Sequence, residues 1–349
     1  MKTEVLSTHT PALFHAAAKR AAEMLRAGAV VALPTETVYG LAANALDEKA
    51  VAQIFRIKGR PAKNPIIVHI AGREMAQRCC ARWPEAAEKL ARAFWPGPLT
   101  MVLPRSRIIP GMVTAGGRTV GVRWPAHPFI QTVIRQCEFP LAAPSANLSS
   151  RISPTTAEHV RRQLGGRIAL IVDGGQSQVG IESTVLDLTP LLRARARPAR
   201  ILRPGMIHAE ALAAVLGNIE HEPPHPMSGR TSNVELRTLR SPGLLKKHYA
   251  PKAKLWVMGW RDDADLVSQL VTSRVSLVTC HIIAHTRIPS GQRFGGVSVI
   301  PHDAEAFARA LYGELHRGDE TGAKTIVVEA PPATAEWAGI ADRLRRAAA

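Results

Sequence analysis

The stretch ALPTETVYGLAANALDEKAVAQIFRIKGRPAKNPIIVHI, residues 32–70, constrains the fold more than any other part of the chain. It holds two short apolar runs, 32–34 and 66–70, separated by a polar turn and a helical segment. Such runs read as strands buried on both faces, and a strand of that kind needs helices covering it above and below. The same grammar recurs along the chain. Residues 11–27 place Leu13, Ala17, Ala21, Met24 and Leu25 at helical spacing and stop at Gly28, after which AVVALP follows as a strand. Then come a helix over 83–94, strands in LTMVLP, TVGVRWP and PLAAPS, and a helix opening at SPTTAEHV with Pro154 in its first turn. Strands in IALIVDGG and STVLDL complete the series. This alternation predicts an α/β layered domain whose strand ends and loops form the functional rim.

Near Leu216 the texture changes. Residues 217–250 are rich in Pro, Gly, Ser and Asn without an apolar period, which reads as a linker or a long functional loop. Beyond it, strand AKLWVMG, helix DADLVSQLV, strands RVSLVTC and GGVSVIP, helix AEAFARALYGELHRGD, strand KTIVVEAP and helix WAGIADRLRRAA predict a second α/β unit. The chain thus divides into 1–216, a linker over 217–250, and 251–349, as suits 349 residues with 46% hydrophobic content.

No run of about eighteen apolar residues occurs, and the first twenty-odd residues carry Glu4, His9, Lys19 and Arg20 instead of a signal-peptide core, so a cytoplasmic protein without membrane association is expected. Cys79, Cys80, Cys137 and Cys280 form neither a CxxC pair nor a disulfide ladder; reduced structural thiols and no metal centre are expected. Forty-five basic against twenty-eight acidic residues give +17, which invites a polyanion such as nucleotide or RNA. The basic residues are scattered, however, and 5% aromatics leave little for stacking bases.

Chemistry concentrates at strand ends. In PTETVYGL a strand gives way to Thr35, Glu36, Thr37 and Tyr39, where hydroxyls and backbone N–H groups can orient a small polar ligand, or a Thr can simply cap a strand-to-helix turn. Lys58, Arg60 and Lys63 in KGRPAKNP gather positive charge where helix gives way to loop, either as an anion site or as a solvated surface. The hydroxyl-rich loop of Ser145, Asn147, Ser149, Ser150 and Ser153 fits phosphate contacts or an ordinary Asx or Ser turn. Arg123 closes a strand where a guanidinium can grip a carboxylate or phosphate through two N–H groups; Ser183 and Thr184 start a strand, and Arg203 sits beside a turn. There is no GxxxxGK[ST], nucleophile elbow, HExxH or Ser-His-Asp set, which excludes the usual P-loop and gives covalent or metal-hydroxide hydrolysis no machinery.

LPTETVYGLAANA, KGRPAKNPIIVHI, FWPGPLT, SANLSSRISPTTAEHV, VGIESTVLDL and ILRPG resemble, in order and spacing, the YrdC-like domain. SPGLLKKHYAPKAKLWV and the unit after it are similar to the long, two-domain threonylcarbamoyl-AMP synthases, so the resemblance spans nearly the whole chain. Ser150 departs from it, standing where the family usually has Gly. The resemblance implies a YrdC-like twisted mixed-sheet domain followed by a smaller Rossmann-like α/β domain. It implies a nucleotidyltransferase that condenses L-threonine, bicarbonate or CO2, and ATP with its Mg2+ into threonylcarbamoyl-AMP and pyrophosphate, the first step of tRNA threonylcarbamoyladenosine modification. By the same resemblance Thr37, His69, Arg123, Ala143 and Ser183 receive threonine. Lys58, Arg60, Asn64, Thr119, Ser145, Asn147, Ser153 and Arg203 hold ATP, with Tyr249 of the linker closing over it; Lys58, Arg60, Ser145 and Asn147 are the catalytic set. Implied partners are tRNA or a downstream threonylcarbamoyl-transferase complex. Two alternatives stand beside this reading: a carbamoyl-phosphate-dependent carbamoyltransferase and an RNA-binding factor.

Overall fold

The computed structural model describes residues 2–221, 248–290 and 293–349. Most of the expected linker and lid lies outside the described residues. Those described divide into two compact units, one made of 2–149 and 153–221, the other of 150–152 and 248–349.

The first unit contains β1 (Glu4–Ser7), β2 (Val31–Leu33), β3 (Gly40–Asn44), β4 (Val68–His69), β5 (Leu99–Pro104) and β6 (Thr119–Arg123). It continues with β7 (Leu141–Ala142), β8 (Leu170–Asp173), β9 (Thr184–Asp187), β10 (Ala199–Arg203) and β11 (Ile219–Glu220). Their order in one sheet is β1-β8-β2-β3-β7-β4-β6-β5-β9-β10-β11. The pairing is mixed: β4 runs parallel to β6 and β5 to β9, whereas β2 with β3, β3 with β7, β5 with β6 and β9 with β10 are antiparallel. This is the mixed sheet that the resemblance implies.

Helices α1 (Pro11–Arg26), α2 (Glu48–Lys58), α3 (Arg73–Cys79), α4 (Glu85–Phe94), α5 (Pro128–Cys137), α6 (Ala157–Leu164) and α7 (Ala209–Leu216) cover the sheet. Alternation along the strands divides the apolar side chains between two layers, as a pleat requires. Val31, Leu33, Leu170 and Val172 pack with Ala18, Ala22 and Leu25 of α1 and Phe129 and Val133 of α5. Ala32, Leu41, Ala43 and Ile171 pack with Val51 and Ile54 of α2, Leu90 of α4 and Val160 of α6. Helix ends follow local chemistry: Asp47 accepts the Lys49 N–H at 2.8 Å to start α2, and Gly59, at φ 59, ends it in the left-handed conformation that a residue without Cβ adopts at little cost. Helix α6 begins later than predicted. Thr156 caps it by accepting the His159 N–H at 3.2 Å, so Pro154 precedes the first turn instead of occupying it.

The second unit is a parallel four-stranded sheet, β12 (Lys254–Met258), β13 (Cys280–Ala284), β14 (Gly296–Val299) and β15 (Thr325–Glu329), in the order β12-β15-β13-β14. It carries α8 (Asp263–Thr272), α9 (Ala304–Glu320) and α10 (Ala338–Ala348). Its second strand is CHIIA and not the predicted RVSLVTC, whose Leu277–Thr279 forms a 3-10 turn. The buried polar His281 disguises the run: its Nε2 pairs with Ser298 Oγ at 2.9 Å across to β14, so a polar residue occupies a core position. Strands β1, β3 and β10 and helices α3, α5 and α7 also go beyond the predicted series, and β11 falls inside the stretch predicted as linker. All four cysteines are buried free thiols. Among the described residues no helix is long and apolar enough to cross a membrane.

Candidate active site

The turn between β2 and β3 is tied by its own hydroxyls. Thr35 Oγ1 lies 3.0 Å from Thr37 Oγ1 and donates to the Val38 carbonyl at 2.6 Å. The Tyr39 hydroxyl donates to the Gly175 carbonyl at 2.6 Å and accepts the Gly174 N–H at 3.1 Å, so this ring anchors a neighbouring loop. Gly40 bridges to Ser145, and the N–H groups of Leu41 and Ala146 bond Pro144 and Tyr39 at 2.7 and 2.8 Å. The loop after β7 is thereby stitched to the turn.

Register brings the next residues in. Parallel pairing of β4 with β6 sets His69 opposite Arg123. Arg123, 4% exposed, donates from Nη1 to Thr37 Oγ1 at 2.9 Å and from Nε to the Gly97 carbonyl at 3.3 Å, and its Nη2 lies 2.8 Å from Glu36 Oε1. Burial, reinforced by the Arg123 charge, pushes the His69 imidazole down to about 3, so it is neutral at physiological pH. Ala143 donates its N–H to the Ile67 carbonyl at 3.1 Å beside these groups. On the adjoining strands, Ser183 Oγ lies 2.8 Å from Thr100 Oγ1, and Arg203 donates to Ser183 Oγ and to its carbonyl, each at 3.1 Å.

The predicted cation cluster separates. Lys63 is exposed, whereas Lys58 and Arg60 are buried. Lys58 Nζ donates to the carbonyls of Ser145 and Asn147, with Asn147 Oδ1 at 3.4 Å, and Ser149 returns an N–H to the Lys58 carbonyl at 2.8 Å. Burial, with Arg60 nearby, pushes the ammonium well below the ordinary lysine range, against the pull of Glu182. Arg60 folds its own loop by donating to the carbonyls of Asn64 at 3.1 Å and Pro65 at 2.6 Å. Asn64 is fully buried, and neither polar atom of its carboxamide has a hydrogen-bond partner among the described residues. Such a group can be satisfied by an ordered water or by a polar ligand. Ser153 donates to Glu182 Oε1 at 2.6 Å, and Thr119 lines a small cleft with Pro65, Thr100, Thr114 and Gly121.

Thr37 and Arg123 therefore touch directly, as do Lys58 and the turn carrying Ser145 and Asn147, and Ser183 and Arg203. Tyr249 belongs to the second unit, buried with its ring 5.9 Å from Tyr312 and the Arg343 guanidinium 5.4 Å over its face. Glu182 is not among the residues singled out in the sequence, and Glu36 is noted there only as part of its turn, with no role of its own. A carboxylate inside an otherwise hydroxyl-bearing strand-end turn was the available signal for Glu36.

A sequence profile described as telomere recombination matches residues 23–205, and one described as threonylcarbamoyl-AMP synthase, C-terminal domain, matches residues 207–349. The chain is 40% identical over 338 residues to the threonylcarbamoyl-AMP synthase of Pyrococcus abyssi, covering 94% of this chain and 92% of that one. It is 40% identical over 356 residues to the threonylcarbamoyl-AMP synthase of Bacillus subtilis, covering 99% and 95%. The crystal structure of P. abyssi Sua5 complexed with L-threonine matches the fold with a TM-score of 0.86 at 37% identity, over 99% of this chain and 98% of that one. With relatives of this similarity spanning nearly its whole length, the chain belongs to the Sua5 family of threonylcarbamoyl-AMP synthases.

Proposed function

We propose that this protein joins L-threonine, CO2 or bicarbonate, and ATP into threonylcarbamoyl-AMP with release of pyrophosphate, a nucleotidyl transfer whose product serves tRNA threonylcarbamoyladenosine modification. The observation that carries the reading is the buried Arg123 at a strand end, with the Thr37 hydroxyl at 2.9 Å and the neutral His69 as its register partner. That combination suits a small carboxylate bearing a hydroxyl. The P. abyssi relative's complex with L-threonine supports it.

The threonine amine adds to CO2 to form a carbamate with loss of a proton; a carbamate oxygen then attacks the α-phosphorus and pyrophosphate leaves. No protein nucleophile is needed, so catalysis is positioning and charge neutralisation. In this scheme Arg123 holds the amino-acid carboxylate. Lys58 fastens the Ser145–Asn147 turn by its carbonyls, and Arg60 shapes the loop that presents Asn64. Asn64, Thr119, Ser153 and Arg203 are the proposed nucleotide contacts, and closure by Tyr249 is likewise part of the proposal. Magnesium would arrive with ATP and neutralise its phosphates. Glu182, engaged by Ser153 at 2.6 Å, is the carboxylate offered beside Lys58, which fits an ion held chiefly by phosphate and water.

The test is pyrophosphate release from ATP without RNA. Release that requires both L-threonine and bicarbonate is expected. Dependence on carbamoyl phosphate would favour a carbamoyltransferase, and no turnover with either, alongside tight RNA binding, would favour an RNA-binding factor.

A further inference from the structure

Glu36 has no task in the proposed reaction, yet it sits against Arg123. The residue is 7% exposed, with Oε1 accepting the Ala126 N–H at 2.8 Å and lying 2.8 Å from Arg123 Nη2. Oε2 of Glu36 is enclosed and has no hydrogen-bond partner among the described residues, while Arg123 Nη2, also enclosed, is in contact with the other carboxylate oxygen, Oε1. Burial favours the neutral carboxyl, but the Arg123 charge and the Ala126 N–H outweigh it and hold the group below the usual carboxylate range.

Two adjacent opposite charges with unspent hydrogen-bonding capacity make a fixed dipole. An α-amino acid is a zwitterion whose carboxylate and ammonium branch from one carbon. Laid head to tail against the pair, it sets carboxylate on Arg123 and ammonium on Glu36, and the unpartnered Oε2 gains a charged donor. A carboxylate lacking the amine would satisfy Arg123 and leave Glu36 wanting, and a site built to bond a group rejects the analogue without it. We propose that Glu36 is the specificity residue that reads the α-ammonium, so that the site admits zwitterionic amino acids and rejects amine-free carboxylates. This rests on the amino-acid site proposed above and names the group that selects within it.

Calorimetry on the full chain with L-threonine and with β-hydroxybutyrate, which is threonine without its amine, tests the assignment. Wild type should prefer threonine by about tenfold or more, and Glu36→Gln should weaken threonine by about tenfold to a hundredfold, the scale of one lost bond to a charged group. β-Hydroxybutyrate binding should change little, and Glu36→Asp should restore part of the preference. Equal weakening of both ligands would make Glu36 a mere support for Arg123 and overturn the inference. So would a wild-type preference near unity, which decides the matter even if Glu36→Gln fails to fold. Failure of wild type to bind threonine at all would remove the proposed function as well, whereas threonine binding without discrimination removes this inference alone.

Discussion

Replacing Arg123 with Lys keeps a positive charge and removes the planar fork, which separates charge from geometry. In the native protein the guanidinium reaches three groups: Thr37 Oγ1 at 2.9 Å, the Gly97 carbonyl at 3.3 Å and Glu36 Oε1 at 2.8 Å. A lysine ammonium on one flexible stem can keep the contact with Glu36 but cannot also span Thr37 and Gly97. Two neutral-acceptor hydrogen bonds are then lost, at about 1 kcal/mol each, so the stability loss should be about 2 kcal/mol. In a unit of this size that corresponds to a drop in melting temperature of roughly 4–8 °C. Threonine should bind about tenfold to a hundredfold more weakly because its carboxylate loses a paired contact. ATP binding measured alone should hardly change. Thermal unfolding and separate calorimetric titrations of the two ligands read these effects. Unchanged threonine affinity in the folded variant would refute the reasoning, and equal weakening of both ligands would move Arg123 to the phosphates.

Gly205→Ala should destabilise the protein by about 1–3 kcal/mol, the cost of overpacking, because its Cβ would come within 2.5 Å of the Thr184 N and 2.9 Å of the Glu182 carbonyl oxygen. The strand start carrying Ser183 would have to move, so threonine affinity should fall too; an unchanged melt and affinity would count against that geometry. Ser150 sits at φ 65, where a side chain is strained, and Ser150→Gly should stabilise the chain by about 0.5–1 kcal/mol in denaturant titration after glycine's greater unfolded freedom is subtracted. A loss of stability would show that the serine side chain contributes more than its backbone costs. His69, neutral when folded down to about pH 3, takes up a proton on unfolding below its ordinary value of 6.5, so stability falls as pH drops through that window. His69→Asn should therefore lose about 2 kcal/mol less than wild type between pH 7 and pH 5; parallel losses in urea titrations at the two pH values would contradict a neutral buried His69.

Much of the layering was legible because two-faced strands leave a plain mark: AVVALP and IALIVDGG contain the core strands Val31–Leu33 and Leu170–Asp173. CHIIA was not, since a histidine satisfied by Ser298 looks polar in one dimension and behaves as core in three. The start of α6 was misplaced because Pro154 and Thr156 both resemble helix openings, and the Thr156 hydroxyl bond to His159 decides between them. The charged loop was visible as a cluster. That Lys58 would turn inward to carbonyls at Ser145 and Asn147, more than eighty residues away in sequence, depended on the bridge from Gly40 to Ser145. The pairing of Glu36 was hidden for the same reason: its partners are Arg123 and Ala126, far off in sequence, which the strand order brings to it.

The central claim is that one carbon from bicarbonate ends between threonine and AMP. Mass spectrometry of a reaction containing the full-length protein, Mg-ATP, L-threonine and isotopically labelled bicarbonate tests it directly. The expected product is threonylcarbamoyl-AMP carrying the label, formed together with pyrophosphate. Threonine joined to AMP without the label, or label incorporated only when carbamoyl phosphate replaces bicarbonate, would contradict the account.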